Sequence, residues 1–86
     1  MLRISPTPSG NHHILLRLEG RLVGPWVAEL RVACEKLLGE GHALELNLAE
    51  VSFLDPAGAA LLTGIRAQGV QLSECSPFVL EQLKAL

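Results

Sequence analysis

The stretch FLDPAGAALL, residues 53–62, contains the junction on which the fold depends. Ahead of it, residues 42–55 alternate: Leu44, Leu46 and Leu48 fall on one face, Glu45 and Asn47 on the other, the period of a half-buried strand. Behind it, residues 56–69 read as a short helix with Leu61, Leu62 and Ile65 as apolar anchors and Gly69 as its stop. Asp55 has the chemistry of a helix cap, since its carboxylate accepts from the free N–H groups of a first turn. Pro56 has helical φ already and no N–H to leave unpaired. Ala57, Gly58, Ala59 and Ala60 then expose backbone, allowing close approach by another molecule or tight packing on the chain's own sheet. The two uses are compatible.

Downstream, residues 70–75 form a brief strand and residues 76–86 a final helix. Val79, Leu83 and Leu86 share a stripe, with Leu80 beside it. Ser76-Pro77 repeats the capping device of Asp55-Pro56. Upstream, residues 2–5 make a first strand followed by a turn-rich PTPSGN. Residues 12–22 alternate, with Ile14, Leu16 and Leu18 opposite Leu15, Arg17 and Glu19. Residues 23–41 form a helix whose stripe is Val23, Val27, Leu30, Cys34 and Leu37. Pro25 lies in its first turn, and Gly39 and Gly41 end it. Trp26, off that stripe, is expected to pack on the core; Leu15, facing away from Ile14 and Leu16, is expected to be a lone exposed leucine. The order is β-β-α-β-α-β-α, an α/β domain with helices packed on a sheet. Residues 43–75 form a β-α-β unit, hence a parallel pair. Both capped helices then open at the sheet's carboxyl edge, where open α/β sheets present ligand sites.

With 86 residues, the chain accommodates one domain, residues 1–86. Aromatic residues are 3% and apolar residues 49%, so the core is aliphatic and some apolar surface is left for contact. A net charge of −2, with no basic stripe, argues against nucleic-acid binding. No stretch has the length of a membrane span, and the polar, proline-rich start does not read as a signal peptide; the expectation is a cytoplasmic protein without membrane insertion. Cys34 and Cys75 lack metal or redox spacing and read as free thiols. Glu40, His42, Glu45 and Asp55 could serve as acid–base groups, and His12-His13 as half a metal site. With no phosphate loop, nucleophile elbow or complete ligand set, the reading is no enzyme and no cofactor.

Residues 44–63, LELNLAEVSFLDPAGAALLT, resemble the signature of STAS domains, named for sulfate transporters and anti-sigma factor antagonists. Leu46, Leu48, Val51 and Phe53 fall on its hydrophobic positions, Asp55 on its acidic residue and Gly58 on its glycine. LEGRLVGPWVAEL (18–30) resembles the family's upstream motif through Gly20, Leu22, Leu30 and, close to its alanine, Ala28; GVQLSECSPFVLEQL (69–83) resembles its later strand and helix. The resemblance implies the STAS fold, a four-stranded mixed sheet with about three helices. It implies a non-catalytic regulatory module binding a protein partner of the anti-sigma factor or kinase-like kind. It places the contact at Asp55, Pro56, Ala57, Gly58, Ala59 and Leu62. An alternative within the same fold is a cytoplasmic accessory subunit on the ATPase of a lipid-transporting ABC system, and a homodimer is compatible with either. Regulatory members of the family carry a phosphorylatable Ser or Thr between the Asp and the Gly. Here Pro56 and Ala57 stand there, so no phosphoacceptor occupies the turn, and Ser52, Thr63 and Ser76 read as poor substitutes. Asn47 stands where the family often has Asp, and Glu45 takes a usually apolar place. The helix at 56–68 is about a turn short, and the family's closing strand and helix have no counterpart, so the expectation is a reduced, unswitched member.

Overall fold

In the computed structural model, which describes residues 2–84, the elements follow the expected order. They are β1 (Leu2–Pro8), β2 (His13–Leu22), α1 (Pro25–Gly39), β3 (Ala43–Leu54), α2 (Pro56–Ala67), β4 (Gln71–Ser73) and α3 (Pro77–Lys84). The strands lie in the spatial order β1-β2-β3-β4. β1 runs antiparallel to β2, whereas β2/β3 and β3/β4 are parallel, so the sheet is mixed.

Boundaries depart from expectation where backbone chemistry intervenes. β1 continues through Pro6 and Pro8, which the sequence reading placed in a turn. An edge strand tolerates proline wherever the missing N–H points away from the partner. The chain reverses at residues 9–12 instead, with Gly10 at φ 141° and His12 at φ 57°. α1 starts two residues later than expected because Gly24, at φ 54° and ψ −128°, is a non-helical N-cap. β4 stops at Ser73 because Glu74 turns to φ 56°. Leu86, assigned to the stripe of α3, lies outside the described residues.

Strand register explains the two faces. Pro6, Leu16, Leu46 and Leu72 pair across the four strands, as do Ser5, Arg17, Asn47 and Ser73 one step further along β2 and one step back along β1. Because side chains alternate, the first row faces the helices and the second faces away. A single core holds Leu16, Leu18, Leu46, Leu48 and Leu62 together with Leu30 and Cys34 of α1 and Val79 of α3. Trp26 and Leu37 pack against it half-buried. Leu15, on the outer face, is half-buried between its register partners Thr7 and Glu45, so the expected exposed leucine is partly covered by its own sheet.

β3 contains two irregularities that its alternation hid. Arg17 pairs with Asn47 but Glu19 with Glu50, and Gly20 pairs with Val51 but Arg21 with Phe53. Each shift inserts one extra residue into β3, the signature of a β-bulge. The buried positions therefore step by three, Leu48, Val51 and Leu54, rather than by two. The Asn47 side chain caps the first irregularity, accepting from the Ala49 N–H at 2.9 Å. Beyond the second, Phe53 is turned out of the core and is 38% exposed, although the resemblance put it on a hydrophobic position.

Candidate functional site

Because β2, β3 and β4 are parallel, the starts of α1, α2 and α3 all gather at the carboxyl edge of the sheet. Asp55 ties two of them together. One carboxylate oxygen accepts from the Gly58 N–H at 2.7 Å, closing the first turn of α2. The other accepts from the Gly24 N–H at 2.9 Å, at the N-cap of α1. The second bond, across 31 residues, could not be read from a capping motif. Both N–H groups favour the ionised form and hold the Asp55 carboxyl below its ordinary value, the Gly24 bond contributing most. The third helix start follows the expected device: Ser76 Oγ accepts from the Val79 N–H at 3.2 Å.

The six residues assigned to the contact separate into two groups. Pro56 and Ala57 are exposed and Asp55 is partly so; Gly58, Ala59 and Leu62 are buried. The last three face the chain's own core and offer no free surface, a correction to the contact that the resemblance implied. Helix periodicity explains Ala59 and Leu62, three residues apart on the inward side of α2. Gly58 is small for a different reason: a Cβ there would stand 2.6 Å from the Leu22 carbonyl oxygen and 3.1 Å from Leu22 Cγ. Of the two uses foreseen for the small residues, tight packing on β2 accounts for Gly58.

The sequence reading missed an aromatic pair at this edge. Phe53 and Phe78, at the ends of β3 and the start of α3, have ring centroids 6.0 Å apart and are 38% and 42% exposed. The Arg21 guanidinium carbon lies 5.5 Å from the Phe53 centroid. The available signal was the irregular spacing Leu48–Val51–Leu54, which leaves Phe53 off the buried rhythm.

The remaining polar candidates are dispersed. Glu40 and His42 precede β3, with His42 Nε2 3.8 Å from Glu40 Oε1, while Asp55 follows its far end and Glu45 sits half-buried between them. Among the described residues, no three His, Cys, Asp or Glu side chains gather as metal ligands. The hydroxyls are engaged: Thr63 Oγ1 donates to the Ala59 carbonyl at 3.0 Å, and Ser52 Oγ to the Gly20 carbonyl at 3.2 Å. Ser52 is nonetheless exposed, in the second irregularity of β3. Both cysteines are free. Burial, with a smaller contribution from the Glu35 charge, pushes the Cys34 thiol up to about 11. Cys34 should therefore resist iodoacetamide at pH 8 in the native protein and react on denaturation, because the thiolate is the nucleophile. Mass spectrometry after timed alkylation reads this out; native labelling as fast as the denatured rate would contradict the buried placement.

A mixed four-stranded sheet, helices starting together at its carboxyl edge and an acidic cap before the second helix together define the STAS fold. Solved structures agree. The anti-sigma factor antagonist SpoIIAA, in its unphosphorylated form, superposes with a TM-score of 0.75 over 95% of this chain and 82% of its own, at 20% identity. A structure described as Mglu gives a TM-score of 0.70 at 21% identity, over 86% of this chain but 20% of that one. At such identities the likeness is one of fold. No family model and no curated protein sequence matches the chain. No helix among the described residues is long and apolar enough to cross a membrane.

Proposed function

We propose that the chain is a non-catalytic regulatory module that docks a protein partner at the carboxyl edge of its sheet. The partner class is the anti-sigma factor, kinase-like kind, as SpoIIAA's description as an anti-sigma factor antagonist suggests. One observation carries the reading: Pro56 and Ala57 are exposed on a corner held by the two Asp55 hydrogen bonds. The Phe53–Phe78 pair, with Arg21 over Phe53, extends the accessible surface beside it. Aromatic residues, phenylalanine among them, and arginine are enriched in protein interfaces, which supports including them. With no hydroxyl between Asp55 and Gly58, binding is constitutive and set by abundance rather than by phosphorylation at the turn.

Ala57→Arg tests this reading. The exposed helix start accepts the side chain without loss of fold, so the thermal midpoint stays unchanged. Affinity for a purified anti-sigma kinase-like partner, measured by calorimetry, should fall about tenfold or more. Unchanged affinity would remove the corner from the contact. The same titration against the ATPase of a lipid-transporting ABC system distinguishes the alternative partner.

A further inference from the structure

We infer that the outer face of α1 and α2, remote from the Asp55 corner in function, binds a second copy of this chain. A groove of about 240 Å³ runs between the two helices. Cys34, Leu61 and Ile65 form its apolar floor, and Arg31, Glu35 and Gly64 stand on its rim. Val32, further round α1 on the solvent side of Glu35, is 64% exposed, the most exposed large hydrophobic side chain among the described residues.

Charge decides what covers this face. Arg31 and Glu35 are one turn apart on α1, both exposed, and neither makes an ion pair among the described residues. A two-fold axis places the same patch on both subunits, so residue i meets j and j meets i. With two α1 helices antiparallel about a point near residue 33, Arg31 of each copy lies opposite Glu35 of the other. Two ion pairs then form, each charge being paired once, and the two Val32 side chains lie close to the axis at the edge of the contact. A heterologous partner would need a separately matched surface; the chain's own α1 already carries the complement.

Charge reversal tests the pairing, read by sedimentation equilibrium up to about 1 mM protein, a range that detects even weak self-association. The wild-type protein should dimerise, and added salt should weaken the dimer, because exposed charges are screened. Arg31→Glu and Glu35→Arg each place like charges opposite one another and should weaken dimerisation about tenfold. The double variant R31E/E35R restores opposite charges and should recover the wild-type constant within about threefold. Mixing the two single variants should give a heterodimer tighter than either homodimer, since each then supplies what the other lacks. Gly64→Lys provides a second arm: a Cβ at Gly64 meets nothing within 4 Å, so the fold persists while the groove is obstructed and the dimer is lost. A wild-type monomer throughout, a dimer indifferent to these variants, or single variants that the double variant fails to rescue would each overturn the proposal. Partner binding at Ala57 is measured separately and is unaffected by any of these outcomes.

Discussion

Gly58→Ala destabilises the domain by about 3 kcal/mol, and Gly58→Val by more, because the added carbon has no place to go. The Cβ would sit 2.6 Å from the Leu22 carbonyl oxygen, well inside van der Waals contact. That oxygen is itself fixed, accepting from the Asp55 N–H at 3.2 Å, so relief requires moving the start of α2 away from the end of β2. Such a movement pulls on Asp55 and uncovers Leu22 and Leu62, both fully buried. In a domain of this length about 1 kcal/mol corresponds to roughly 4–8 °C, so the midpoint should fall by some 12–24 °C for alanine. Gly64→Ala is the matched control. It lies in the same helix, its Cβ meets nothing within 4 Å, and it should gain about 0.5–1 kcal/mol from helix propensity alone. Thermal melts of the two variants measured side by side give opposite signs. A neutral Gly58→Ala would mean that α2 is not seated on β2 as described.

The contrast between these two glycines marks where sequence reading stops. Their identity is the same and their neighbours are alike, small residues and leucines on one short helix. Only the neighbouring strand end distinguishes them. The order of elements, the parallel pairing of β3 with β4, the aliphatic core and the caps at Asp55 and Ser76 were all legible, because each follows from a local period or a local hydrogen bond. The inward turn of Val51 was hidden because one extra residue in β3 flips its alternation and a second flips it back before Leu54. An irregularity of register is a property of two strands, not of one. Phe53, which the resemblance put on a hydrophobic position, stays on the outer side. Gly58, Ala59 and Leu62 were expected at the contact surface because the resemblance names a segment. A helix shows only one side of a segment to solvent, and here that side is Pro56, Ala57 and Ala60. Arg31 and Glu35 fall off the apolar stripe that the sequence defines for α1, but the groove they border needs α2 beside it.

Asp55→Ala costs about 2 kcal/mol, at the upper end for an N-cap, because one side chain serves two helix starts. Its loss frees the Gly58 N–H of α2 and the Gly24 N–H before α1 together. Gly24 makes the second loss important. At φ 54° and ψ −128° its conformation is one that side chains avoid, so the bond from Asp55 helps hold a backbone arrangement with little intrinsic preference. The same bonds give the domain an acid-labile component. Since the folded carboxyl is held below its ordinary value near 3.8, the folded state binds that proton less readily than the unfolded chain does. The contribution is complete above the unfolded value and drains as pH falls from there through the folded value. Urea titrations of wild-type and Asp55→Asn protein should therefore be furthest apart at neutral pH and draw together as pH falls from about 4 through the folded value, beneath which both carry an uncharged side chain. The asparagine variant still offers one carbonyl oxygen, enough for either N–H but not for both, so its loss at neutral pH should be smaller than that of alanine. A stability difference that stayed constant down to pH 2 would show that the charge of Asp55 contributes nothing. An alanine variant no weaker than asparagine would show that neither hydrogen bond holds the corner.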